Sequence, residues 1–166
     1  KNQHTWDNAL ITAFGIVNQG FEGNESWIKT DDRLDITSKY GREIKDLLYL
    51  SGLLNFNTQY ARGFAAGSNG RPDRTKLISN FFSPARLLFS LGVDAKPHKS
   101  VSLFFSPLTF RGIYVLDDLL AAQGAFGMKP GIIATDTLSD GALQQRVIQD
   151  GSHTRNEVGA YMRLNF

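Results

Sequence analysis

LLYLSGLLNFNTQY, residues 47–60, alternates with a period of two. Leu48, Leu50, Gly52, Leu54 and Phe56 form one set, with Tyr60 closing it after Thr58. Ser51, Asn55, Asn57 and Gln59 form the other, which is polar apart from Leu53. That periodicity predicts a β-strand with two unlike faces. The stretch is long for a strand in a globular domain, where about five or six residues is usual. An apolar face, an amide- and hydroxyl-rich face and a terminal aromatic are the pattern of a transmembrane barrel strand, with lipid on one side and a polar lumen on the other.

Working outward, the same alternation predicts strands over 5–19, 33–40, 81–96, 100–116 and 154–166. Residues 33–40 split cleanly into Leu34, Ile36, Ser38, Tyr40 and Arg33, Asp35, Thr37, Lys39. In 5–19 both sets are largely apolar, and neither can be assigned a face. Residues 20–32, 61–76 and 117–153 read as long outward loops from their Gly, Pro, Asn and acidic content, with a short helical turn over 117–123. Residues 41–46 and 97–99 read as short connections on the periplasmic side. Long and short connections in alternation are the barrel pattern. Pro107 falls inside the fifth strand, and beyond it the apolar set changes from odd to even positions. A β-bulge or break is therefore expected between Ser106 and Thr109.

The expected fold is all-β: an antiparallel up-and-down transmembrane β-barrel forming a single domain over 1–166. Leu34, Ile36, Leu48, Leu50, Leu54, Phe56, Leu87, Phe89, Leu91, Val158, Met162 and Leu164 are expected to face lipid. Arg33, Asp35, Lys39, Asn55, Asn57, Gln59, Arg86, Asp94, Glu157 and Arg163 are expected to line the lumen, where their mixed signs suggest paired side chains. Single-chain barrels start at about eight strands, and about six are counted here. Missing strands or a second chain would complete the wall. KNQHTWDNAL does not read as a signal peptide, which implies a mature form or a missing N-terminus.

Composition narrows the function classes. Eighteen basic and sixteen acidic residues give a net charge of +2, without the basic stripe of a nucleic-acid binder. The absence of cysteine excludes disulfides and thiolate metal sites. No apolar run reaches the length of a membrane-spanning helix, which says nothing against spanning strands. His4, His98 and His153 are scattered, and no Ser/His pair sits beside Asp31–Asp32, so neither a metal centre nor a hydrolase is expected, and no cofactor. Asp31, Asp32, Asp117 and Asp118 would suit calcium at a rim, but as turn-capping loop acids they need no ion. Arg62, Arg71, Arg74 and Lys76 either meet lipopolysaccharide headgroups or simply solvate a loop.

WDNAL (6–10), KTDDRLDITSKYG (29–41), LLNFNTQYARGF (53–64), KLISNFFSPA (76–85), SLFFSPLTF (102–110), GAFGMKPG (124–131) and EVGAYMRL (157–164) together resemble an uncharacterised group of bacterial β-barrel proteins. This is a domain-of-unknown-function family of Bacteroidota-type outer membranes, and the resemblance spans nearly the whole chain. It implies an outer-membrane barrel and no particular activity. The expected role is a pore, a passive transporter or a scaffold subunit of a surface complex. Its partners would be membrane lipid, lipopolysaccharide and other outer-membrane or surface lipoprotein subunits. The alternative is a soluble lipocalin-like or β-sandwich protein that binds an apolar ligand between its apolar faces.

Overall fold

The structure is a computed structural model that describes residues 3–18, 27–67, 72–98, 100–138 and 143–166. Six antiparallel strands form one sheet in simple meander order. They are β1 (His4–Asn18), β2 (Trp27–Lys45), β3 (Leu48–Thr58), then β6 (Ala85–His98), β7 (Val101–Tyr114) and β10 (Thr154–Asn165). Between β3 and β6 lies a hairpin of β4 (Gly63–Ala66) and β5 (Pro72–Ser79). Between β7 and β10 lie a short helix α1 (Asp118–Ala122), a 3-10 turn (Ala125–Gly127) and a second hairpin of β8 (Ile132–Thr137) and β9 (Leu143–Gln149). β1 and β10 are the outer strands of the sheet, and among the described residues each pairs with one neighbour only. Among the described residues, no helix is long and apolar enough to cross a membrane.

The register makes the period-two pattern continuous across strands. Leu10 lies opposite Ile36, Ile36 opposite Phe56, and Phe56 opposite Leu87. Ser38, Leu54, Phe89, Phe110 and Val158 form a second row. Directly opposed residues share a face, so these rows build one largely apolar surface. Asp7, Lys39 and Leu53 make a row on the other surface, as do Ala9, Thr37 and Asn55. β1, unassignable from sequence, places its even residues with the apolar rows and its odd residues with the polar ones. Residues of all six strands line one cavity on the polar side, so the sheet curls toward that side.

Among the register shifts of the sheet, two bulges bear on the faces. Thr30 is unpaired where the β1–β2 register shifts beside Gly15. In β7, Leu108 pairs with Leu91 while Phe105 pairs with Val93, and the β7–β10 register shifts at the same place. The extra residue lies where the proline and the change of apolar phase put it, and Arg111 joins the polar rows opposite Glu157.

Several boundaries differ from the sequence reading. The 20–32 loop is shorter, because 27–32 extend β2 against the end of β1; residues 19–26 lie outside those described. The 41–46 connection shrinks to a turn at Asp46 and Leu47, with Leu47 in the left-handed region at φ 65°. Strand pairing continues through Pro97 to His98, so the 97–99 turn moves on towards Ser100. β6 starts at Ala85 instead of 81, because Asn80 and Ser83 bridge a tight turn carrying Phe81 and Phe82, and the Asn80 side chain accepts from the Phe81 N–H. The loops at 61–76 and 117–153 are not structureless: each holds a hairpin, and the second also holds α1. Short polar strands such as PDRTKLIS satisfy their backbone by pairing locally, which a reading based on an apolar face misses. On β5, the hydroxyl and backbone N–H of Thr75 donate to Asp73 and hold its carboxyl below the usual range.

Candidate functional site: the polar concave face

The concave face is built by odd residues of β1, β2 and β3, even residues of β6, and residues of β7 and β10 brought into phase by the bulge. Its floor is polar and deeply buried. Ser90 and Ser106 are 0% exposed, Asp94 1% and Ser51 3%, while Leu50 and Leu54 on the opposite face are 56% and 43% exposed. This inverts the arrangement of a water-soluble protein, in which buried charge is rare unless paired.

Most of these buried polar groups have partners close by. Lys39 Nζ is 2.6 Å from Asp94 Oδ2, and Lys96 Nζ is 3.8 Å from the same oxygen. The two ammonium groups also lie over aromatic faces, Lys39 over Phe104 at 5.0 Å and Lys96 over Tyr49 at 4.9 Å. Such stacking supplements ion pairing where water is scarce. Asp94 Oδ1 and Ser51 Oγ have no protein partner among the described residues. Thr109 Oγ1 sits 2.9 Å from Ser90 Oγ and 3.0 Å from Ser106 Oγ, which in turn reaches the Leu91 carbonyl at 2.7 Å. That hydroxyl chain fills the gap opened by the bulge. Asp35 accepts from Arg33 at 2.9 Å and from Asn55 at 2.8 Å, and Asn55 also lies 2.8 Å from Thr37.

A cavity of about 1040 Å³ opens from this floor, with Asp7, Lys39, Tyr49, Lys96, Phe104 and Arg163 among its lining. Asp7 belongs to β1 and Arg163 to β10, so the two outer strands both contribute to its wall. At the opposite end of the sheet, α1 and the 3-10 turn fold over the concave side. Ile113, Val115, Leu120, Ala121 and Met128 form a small apolar core there, with Leu77, Ala125 and Phe126 against it. Asp117 fixes this cap: its side chain accepts from the Leu120 N–H at 3.0 Å and from Asn80 at 2.7 Å. Arg155 reaches the Gly127 carbonyl at 3.2 Å.

The candidate residues fall into several places. Lys39, Asp94 and Asn55 share the buried floor, whereas Arg33 lies toward its edge with a side chain 55% exposed. Asn57 lies opposite Arg86 on the same face. Gln59 lies beyond the end of β3 and accepts a long 3.5 Å bond from Lys29. Glu157 bridges Arg155 at 2.6 Å and Arg111 at 3.7 Å, and Arg163 donates to Asn165. On the other face, Ile36, Leu50, Leu54, Phe89, Leu91, Val158, Met162 and Leu164 are exposed, and Leu34, Leu48, Phe56 and Leu87 are half-exposed. Of the rim acids, Asp32 accepts from Lys29 at 2.7 Å and from the N–H groups of Tyr60 and Ala61, clasping β2 to the start of the first hairpin. Asp117 serves as the helix cap. Tyr60 lies past the strand end and ties its hydroxyl to the Arg33 carbonyl at 2.5 Å and to Thr12. The expected lumen residues did not include Lys96, Arg155, Ser90, Ser106 or Phe104. Parity alone would have placed Lys96 and Ser90 with Arg86 and Asp94.

Comparison with known proteins adds little chemistry. No curated protein and no solved structure matches the chain. The family match covers only β1, β2, β3 and the first residues of β4, less than the near-complete resemblance read from the motifs, and its description names no membrane and no bacterial group. Over residues 1–64, the chain is similar to an uncharacterised family described as protein of unknown function (DUF3078).

Proposed function

We propose that this chain forms the wall of a β-barrel in a bacterial outer membrane, acting as a pore, a passive transporter or a scaffold subunit of a surface complex. One observation carries the reading: the polarity of the sheet is inverted. Val158 is 72% exposed, Trp6 70% and Met162 68%, while Asp94, Ser90 and Ser106 lie at the bottom of the concave face. In water such a surface would be a large exposed apolar patch, which soluble monomers avoid; in lipid it is the expected contact face. Strands of 11 to 19 residues in the main sheet reach or exceed the 9–11 or so needed to cross a bilayer at a tilt. The contacts would be with membrane lipid and lipopolysaccharide outside, and with other outer-membrane or lipoprotein subunits along the sheet edges. The cap of α1 and the 3-10 turn would narrow one end of the lumen. The proposal assigns the chain no catalytic step. A lipocalin-like binding protein would need the apolar rows inside, around the ligand, and here those rows lie away from the cavity.

The test is reconstitution. The chain should require detergent for extraction, and its folded form should migrate differently on a gel before and after heating. Leu54→Arg should cost roughly 2–4 kcal/mol of folding free energy in liposomes if the position lies near mid-membrane. Quantitative recovery of the folded chain in buffer without detergent would overturn the proposal in favour of a soluble protein.

A further inference from the structure

Beneath the cap the concave face holds more positive charge than its own acids balance. Arg86 is half-buried near the start of β6. The register sets it opposite Ile113 of β7 and Asn57 of β3, and sets Arg111 opposite Leu88. Arg86 and Arg111 are therefore diagonal neighbours on one face, within reach of each other's long side chains. Arg155 of β10 flanks Ile113 from the other side. Glu157 is the carboxylate of this group, and it is engaged by Arg155 at 2.6 Å and Arg111 at 3.7 Å. The nearby Asp35 is taken by Arg33 and Asn55. Arg86 itself makes no ion pair among the described residues. What it meets is the Phe126 ring of the cap, 5.9 Å from its guanidinium carbon.

Three guanidinium groups around one carboxylate leave an excess charge of +2 in a partly enclosed site. A half-buried charge such as Arg86 is ordinarily paired, and a guanidinium beside another guanidinium is held only at a cost in free energy. The planar fork of arginine matches the oxygens of carboxylate and phosphate groups in bidentate fashion. We infer that Arg86 and Arg111, with the Asn57 amide beside Arg86, form a binding site for an oxyanion, a phosphate or carboxylate carried by a solute that enters the concave side. The site lies under the cap, away from the Lys39–Asp94 pair, and the inference holds for the sheet whether or not it sits in a membrane.

The experiment titrates the folded chain in detergent with inorganic phosphate, read by calorimetry, with acetate as a competitor and a short-chain phosphatidic acid as a parallel ligand. Phosphate should bind saturably and be displaced by acetate. Arg86→Gln and Arg111→Gln should each weaken it by about tenfold or more, the usual size of losing a charge-assisted hydrogen bond. Arg86→Lys, which keeps the charge and loses the fork, should fall between. Arg146→Gln, an exposed change on the β8–β9 hairpin outside the cluster and the cavity, should leave binding within about twofold, as an independent site would. Tighter binding of the phosphatidic acid assigns the site to lipid headgroups, and equal binding assigns it to free solutes. Absence of saturable binding, or equal losses from Arg146→Gln and Arg86→Gln, would overturn the site. If Arg86→Gln does not fold, Arg111→Gln and Arg86→Lys decide the question.

Discussion

Gly92 marks the point where two backbones nearly touch. A Cβ placed there would run into the Phe105 carbonyl oxygen and come within 2.6 Å of the Ser106 Cα, because the bulge pushes β7 against β6. Both obstacles are main chain and cannot rotate aside. Gly52, on the opposite face of β3, would meet only a Leu91 methyl at 3.5 Å, an ordinary contact. Gly92→Ala should therefore lower stability by about 1–3 kcal/mol, the typical cost of overpacking, while Gly52→Ala stays within about 0.5 kcal/mol. Urea titration of both variants in detergent checks the contrast, and equal effects would mean that the β6–β7 approach is looser than described. Sequence could flag Pro107 as the source of the irregularity. It could not identify Gly92, which lies fifteen residues earlier and matters only through the pairing.

At the scale of elements, the alternating strands were the legible part. The faces of 33–40 and 48–58, and the phase change in 100–116, follow from side-chain period alone, since period two has one physical meaning on a pleated sheet. The insertions were not legible. β5, β8 and β9 carry mixed or polar residues and show no apolar face to read. The cap depends on contacts distant in sequence, such as Asn80 with Asp117, 37 residues apart. The four rim acids were likewise ambiguous: sequence offered calcium or turn capping, and in the fold Asp32 is held by Lys29 while Asp117 caps α1. The cap should come loose when its anchor is cut. Asp117→Ala removes the acceptor for Leu120 N–H and strands the Asn80 amide, at a cost of about 1–2 kcal/mol. Hydrogen exchange should speed up at Leu120 and Ala121 and stay unchanged at Leu53 and Ser90 of the sheet. Uniform acceleration across the chain would show that the cap is integral to the sheet's own stability.

For the molecule as a whole, the meander leaves β1 and β10 each with one unpaired edge among the described residues. Unpaired N–H and C=O groups are tolerable in water and cost several kcal/mol each in hydrocarbon. In the isolated 166-residue chain, the outward-pointing amides of β1 and β10 should exchange faster than those of β3 and β6, which are paired on both sides. Slow exchange along both edges would mean that they close on each other or on a second copy.

The inverted polarity also sets how this protein should respond to temperature. Among the described residues, nine polar side chains are buried against ten apolar ones, and many of the large apolar residues are already outside. Where detergent stays on the apolar face, unfolding exposes little new hydrocarbon to water, and newly exposed polar surface lowers the heat capacity instead of raising it. Calorimetry should therefore give a heat-capacity increment well below the ~12–15 cal/mol/K per residue of globular domains. A small increment flattens the curve of stability against temperature. The chain should hold its fold over a broad thermal range, with little of the weakening on cooling that comes from a large hydrocarbon core.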